Sequence, residues 1–460
     1  MKRAALLSLA LLAACAGPRP EIPPEAAVTA PQGWRNDPGA APADVNPAWW
    51  QGFGDPVLTR VVETALAHNV DIAIAAERVA EARGQFHFSV SQRWPDISGV
   101  AEGDRQRDVN PGFGFPENQT AGQGEVSVSF DLDLFGRLAE ASEAAKAQLL
   151  ASQAAWDNVR LAVAATAASG YVTLRALDAR LDVLRRTLAD RAESFRIARR
   201  RAEVGYASKL DLAQAEADYR TAEQQIPAVE LAIARQEDGL SILLGDNPRA
   251  IERGVALGAL ALPDVPAAVP ASLLRRRPDL VAAEEQLVAA DHALDSARAA
   301  FMPDIRLSAD GGLVGSTLIA SPVQVFSLGG GILGPILDFG RLEAQQETVA
   351  ARRNQAAFAY RKTALTAFRE VEDSLAAIRH LKDQEASVTA QREVLARALR
   401  LATNRYRSGY SPFLDQLDAE RGLLASELAL VQIESDRLTA AVTLYQALGG
   451  GWSDTAVVEK

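Results

Sequence analysis

The side chains able to do chemistry in this chain are few and scattered. Its four histidines, His68, His87, His292 and His380, each stand alone, with no partner at metal-ligand spacing. Solvated helix faces are their expected place. The run Gly329-Gly330-Gly331-Ile332-Leu333-Gly334 meets the spacing of a dinucleotide loop, but Pro335 follows at once and the segment continues as a strand. No nucleophile elbow, phosphate loop or carboxylate pair on a defined scaffold is present. These residues point away from an enzyme, and away from a cofactor or resident metal. What remains are carboxylates beside two Gly-Tyr turns. Asp211 and Asp415 fall in the first turn of a helix, where the dipole favours any carboxylate, and Asp418 follows close behind.

The first fifty residues speak of export. Met1-Lys2-Arg3 and the apolar run 4–14 have the basic start and short greasy stretch of a secretory signal, too short to span a bilayer as a mature helix. Cys15 is the only cysteine, which rules out an intramolecular disulfide, and it follows Leu12-Ala13-Ala14 directly. That tetrapeptide resembles a bacterial lipobox, which implies cleavage before Cys15 and its acylation. With Ala16 next in line, it also implies delivery to the outer membrane. Residues 16–56 hold nine of the 22 prolines, so 15–56 is expected to be an extended, sparsely hydrogen-bonded tether. The net charge is −11, and no Lys/Arg stripe alternates with aromatics, so nucleic acid is not an expected partner.

The rest of the chain is written twice. Trp94-Pro95-Asp96-Ile97 recurs as Met302-Pro303-Asp304-Ile305, Phe135-Gly136-Arg137-Leu138 as Phe339-Gly340-Arg341-Leu342, and Val204-Gly205-Tyr206 as Ser408-Gly409-Tyr410. Repeat 1 spans 57–244 and repeat 2 spans 273–449, with a linker at 245–272 and a short tail at 450–460. Each repeat predicts a helix, a strand pair, a very long helix, a tight turn and a shorter helix. Residues 122–134 and 305–313 alternate apolar and polar, the mark of a strand with lipid on one side and water on the other. The hairpins are expected at about 96–134 and 304–337.

The long helices are expected at 137–203 and 341–407, on the order of 100 Å each. Shorter helices are expected at 57–93, 210–244, 280–301 and 414–448. Ser208 with Asp211 has the spacing of a capping box, and Ser411-Pro412 reads as an N-cap followed by proline at the first helical position. After the signal, no apolar run approaches a membrane helix, so an exported chain bound for a membrane can cross it only as a closed barrel. Four strands cannot close alone, so the barrel must be shared between chains. Two chains would give a filled barrel and three an open lumen.

In their order and doubling these residues resemble the TolC-type outer-membrane efflux family, specifically its lipoprotein branch serving resistance-nodulation-division (RND) pumps. The resemblance runs from Trp49-Trp50 through both Pro-Asp-Ile entries and Arg275-Arg276-Arg277-Pro278-Asp279-Leu280 to both Gly-Tyr turns. It implies an α+β membrane protein of mostly long helices with two β-hairpins per chain. It further implies a homotrimer, whose twelve-stranded barrel in outer-membrane lipid continues into a twelve-helix periplasmic tunnel.

The same resemblance makes Asp211, Asp415 and Asp418 a pore gate, and Val204, Gly205, Ser408 and Gly409 the docking surface for a periplasmic membrane-fusion adaptor. Three copies of a carboxylate around a closing pore repel one another and attract cations. Powered by an inner-membrane RND transporter, the chain would be a passive exit duct for drugs or other small toxic solutes. Two alternatives stay open: a channel for type I protein secretion or heavy-metal efflux, and a non-channel periplasmic structural lipoprotein. The chain departs from the longest family members in ending soon after Trp452, so the linker 245–272 is expected to wrap the tunnel's equator.

Overall fold

Aspartates open the helices, and their placement explains much of the architecture. The computed structural model describes residues 18–36, 46–109, 112, 114, 116–263, 270–450 and 452. Cys15 and the expected signal segment 1–14 lie outside the described residues. The Asp55 carboxylate accepts the Val57 N–H at 2.7 Å, and Pro56 takes the first position of helix α1, Pro56–His68. The continuous helix expected over 57–93 is broken at Asn69. Its side chain accepts the N–H groups of Asp71 and Ile72 and donates to the Leu243 carbonyl, so it caps a separate helix α2, Val70–Ser91.

Strands β1 (Asp96–Val109) and β2 (Pro116–Asp131) lead to helix α3, Arg137–Glu203. The Gly205 turn joins it to α4, Lys209–Leu243. Helices α5 (Pro270–Arg276) and α6 (Pro278–Ala299) precede β3 (Asp304–Ser316) and β4 (Val323–Leu333). The second long helix, α7 (Arg341–Arg407), turns at Gly409 into α8, Phe413–Ala447. The Phe-Gly-Arg-Leu motif of each repeat is thereby accounted for. Asp133 accepts the N–H groups of Leu138 and Ala139, and Asp338 accepts those of Gly340 and Leu342, so a carboxylate caps each 67-residue helix.

Two compact units share the chain: Met1–Val28, Glu77–Gln153 and Ala282–Lys362 form the first, and Thr29–Ala76, Ala154–Val281 and Thr363–Lys460 the second. The first holds one antiparallel sheet in the order β1-β2-β3-β4. Its registers align Ser98, Ser127, Asp310 and Ser327 in one row, and Ile97, Val128, Ala309 and Leu328 in the next. One face therefore carries Ser127 and Ser327 hydrogen-bonded to Asp310, with Arg306 paired to Asp131. The other face carries Val126, Leu313, Phe326, Leu328 and Ile332, all exposed, Phe326 at 84%. Gly312 lies where the β2 backbone at Gly124 and Glu125 leaves no room for a Cβ. Among the described residues, the outer strands β1 and β4 each have a strand partner on one side only. No helix among the described residues is long and apolar enough to cross a membrane.

The tether is not free where it is described. In the first unit Arg19 forks onto Asp291 and Asp295, and the fully buried Arg353 donates to the carbonyls of Pro20 and Glu21. The missing hydrogen bonds of a proline-rich stretch are thus supplied by helix side chains far along the chain. His292 likewise is not merely solvated, since its Nδ1 lies 2.6 Å from Glu140.

In the second unit, Trp49 stacks on Tyr445, and buried alanines such as Ala164, Ala167 and Ala168 let helices approach closely. Asp55 reappears there as a hub, accepting from the Tyr171 hydroxyl at 3.0 Å and from Val255 N–H at 3.2 Å. Burial, reinforced by Asp55, pushes the Tyr171 hydroxyl up to about 12. This hub holds the described part of the linker, residues 245–263, onto α3. Residues 264–269 lie outside the described residues, and 270–276 form α5.

Candidate functional site

Each long helix ends at a glycine in the left-handed region. Gly205 has φ 80°, and the Tyr206 N–H reaches back to the Arg201 carbonyl at 2.7 Å. Gly409 also has φ 80°, and the Tyr410 N–H reaches the Arg405 carbonyl at 2.9 Å. Both are six-to-one C-caps that only glycine enters without strain. Alanine there costs roughly 1–2 kcal/mol. Gly409→Ala is therefore expected to lower the thermal midpoint in detergent while leaving the far-ultraviolet dichroism of the folded protein unchanged. The turns present Val204, Tyr206, Ser408 and Tyr410 to solvent, Tyr206 at 86% exposure.

The acidic residues beyond the turns divide into two kinds. Asp211 is half-buried and committed to its cap: its N–H donates to Ser208 Oγ at 3.0 Å, and its carboxylate accepts the Ser208 N–H at 3.3 Å. Asp415 and Asp418 are exposed, three residues apart on one side of α8, and among the described residues neither carboxylate has a partner. The cap expected at Ser411 is displaced by one residue. Pro412, extended at φ −67° and ψ 160°, takes the cap position, so α8 starts at Phe413 and no side chain caps it.

Arg201 is the residue that sequence reasoning missed. From the last turns of α3 it donates to the carbonyls of Tyr406 and Arg407 at 3.1 and 2.7 Å, and its guanidinium lies 4.9 Å from the Tyr406 ring centre. It thus satisfies terminal carbonyls of the other long helix and ties the two turns together. A basic residue near a helix end is visible in sequence, but its use on another helix is not. Beneath it, Tyr406, Phe413 and Leu417 pack with Ala198 and Ala215. Among the described residues, no group of three His, Cys, Asp or Glu side chains is placed to hold a metal ion.

The arrangement is a four-stranded sheet, apolar on one face and polar on the other, together with two helical hairpins, the second of which carries the free carboxylates of Asp415 and Asp418 just past its turn. The pattern that defines the family described as "Outer membrane efflux protein" matches residues 61–246 and 269–450. The chain belongs to that family. A relative in Pseudomonas putida, the probable efflux pump outer membrane protein TtgC, is 35% identical over 478 residues, covering 97% of this chain and 96% of the relative.

Among solved structures, the outer-membrane channel OprN superposes with a TM-score of 0.84 at 27% identity, over 95% of this chain and 99% of that one. The open state of the MtrE outer membrane channel of Neisseria gonorrhoeae gives 0.82 at 27%, over 95% and 98%. The efflux protein is therefore an outer-membrane channel component with the TolC-type fold. Its family and named relatives are channels rather than enzymes. The apolar face of its sheet is the face for lipid, and the Asp310 face the one for water.

Proposed function

We propose that three copies of the efflux protein close their sheets into one twelve-stranded barrel and their helices into a tunnel. A periplasmic adaptor opens this tunnel, and an inner-membrane RND transporter drives small toxic solutes through it. The observation that carries the reading is the four-stranded sheet with β1 and β4 each unpaired on one side, since open edges in hydrocarbon are prohibitively costly. Acylated Cys15 anchors the chain beside the barrel.

Asp415 and Asp418 are the gate carboxylates: both are exposed and unpartnered, and three copies around a narrow pore repel each other and attract cations. Asp211 contributes mainly as a cap, given its hydrogen bonds to Ser208. Val204, Gly205, Ser408 and Gly409, exposed at the turns, receive the adaptor.

The purified protein in planar bilayers should conduct ions. Asp415→Ala combined with Asp418→Ala should raise the current severalfold, on the order of the removal of a few like charges at one constriction, and weaken the preference for cations. Currents identical to the parent in size and selectivity would return both residues to helix-end roles.

A further inference from the structure

Strand β1 sorts its charges by face. Ile97 stands in the lipid-facing row with Val128, Ala309 and Leu328, and the alternation carries on to Arg105 opposite Thr120 and Arg107 opposite Asn118. Asp96, Glu102 and Asp104 fall on the other face, with Ser98. The acids therefore take the water side, and the two arginines the lipid side.

An arginine on a lipid face is costly in hydrocarbon, so depth decides what these two meet. Outward from Phe130, the lipid-facing residues of β2 are Val128, Val126, Gly124 and Gly122, and then Thr120 and Asn118. Thr120 lies about 34 Å along the strand from Phe130, or about 26 Å of depth at a tilt of about 40°, the height of an outer-membrane apolar band. Arg105 and Arg107 thus emerge where the hydrocarbon ends. They do so at the end of the sheet away from the helices, since β1 follows α2 and β2 leads into α3 at the opposite end.

Both side chains are exposed, and among the described residues neither has a hydrogen-bond or ion-pair partner. Closing the barrel brings β1 of one copy beside β4 of the next, yet the turn ahead of β4, residues 317–322, carries no charge. The β1–β2 turn, 110–115, carries none either. Beside the two guanidinium groups on this face stand the Asn118 amide and the Thr120 hydroxyl, with no carboxylate among the face's described residues. Planar forks with added neutral donors match phosphate.

We propose that Arg105 and Arg107 bind the phosphate groups of the lipid that forms the outer leaflet, so that three copies of the site ring the barrel at its outer rim. The proposal rests on the barrel reading above, which decides the face that meets lipid. Two forks about 7 Å apart suit a lipid bearing more than one phosphate. A lipid, rather than free phosphate, is the occupant because the site runs directly into the apolar rows of Ile97, Val126 and Val128, which take acyl chains.

The test titrates purified lipopolysaccharide, and the same lipid with its phosphates removed, onto the full-length protein in neutral detergent. The phosphorylated form should bind about thirtyfold tighter, the weight of two basic residues at an anionic surface. High salt should narrow that gap. Arg105→Gln with Arg107→Gln should erase the preference while trimers, scored by heat-modifiable mobility, form as in the parent. Lysine at both positions keeps the charge without the fork and should retain part of it. Arg306→Gln removes an arginine of the water face, paired to Asp131, and should bind both lipids as the parent does.

Equal affinity of the parent for the two lipids, or a preference that survives in the double glutamine variant, would overturn the site. A loss in Arg306→Gln as large as in the outward pair would overturn the assignment of faces and the site built on it. A parent that never assembles into trimers would instead overturn the barrel reading, and titration of the single chain would still decide whether the two arginines hold phosphate.

Discussion

Arg277→Ala should cost the efflux protein about 1–3 kcal/mol of stability, the range for leaving a buried hydrogen-bonding group without its partner. Arg277, 7% exposed, sits between α5 and α6 and forks onto Asp279 at 3.0 and 2.6 Å. Its remaining nitrogen donates to Glu370 at 2.8 Å and to the Ala447 carbonyl at 3.0 Å. One side chain thus joins the start of α6, the middle of α7 and the end of α8.

Alanine would leave the half-exposed Asp279 and Glu370 carboxylates without their cation and the buried Ala447 carbonyl without its donor. Lysine would keep the charge but lose the planar fork, so Arg277→Lys should fall between parent and alanine. Guanidinium unfolding in detergent, followed by helical dichroism, measures both. A midpoint for Arg277→Ala within about 0.5 kcal/mol of the parent, the range of an ordinary surface change, would sink the account.

The Arg-Arg-Arg-Pro-Asp-Leu motif was visible in sequence, whereas Arg277's partners on α7 and α8 were not. That contrast runs through the molecule. Features set by neighbours in sequence were legible: the alternation of 122–134, the glycine turns at 205 and 409, and the reciprocal cap of Ser208 and Asp211. Each depends on backbone geometry over a few residues, and the duplication displayed most of them twice.

Features that depend on distant residues were hidden. Asn69 breaks a helix because the Leu243 carbonyl is there to receive its amide. Pro20 and Glu21 look like part of a loose tether until Arg353 supplies donors for their carbonyls. At the candidate site, Asp415 and Asp418 could be named from their place after the turn. Arg201 could not, since its partners come from another helix. Of the three expected gate carboxylates, Asp211 is the one whose local hydrogen bonds give it a second occupation.

The orientation of the sheet gives the sharpest test, because adjacent residues of one strand should behave oppositely. Leu328 pairs with Ala309 in the row that continues through Val128 to Ile97, and Ser327 with Asp310 in the row that continues through Ser127 to Ser98. Successive residues of a strand point to opposite faces, so Leu328 meets lipid and Ser327 meets the water-filled lumen.

Leu328→Arg places a guanidinium in hydrocarbon near the middle of the eleven-residue β4, and should cost about 2–4 kcal/mol. Ser327→Arg places the same group one residue away beside Asp310, where the carboxylate can pair with it. Its folding yield in outer-membrane lipid should match the parent, and its conductance should shift away from cations. Folding efficiency into liposomes, scored by heat-modifiable mobility, separates the two. Equal losses for both variants would mean that neither face is wetted by lipid, and the barrel built on these registers would have to be abandoned.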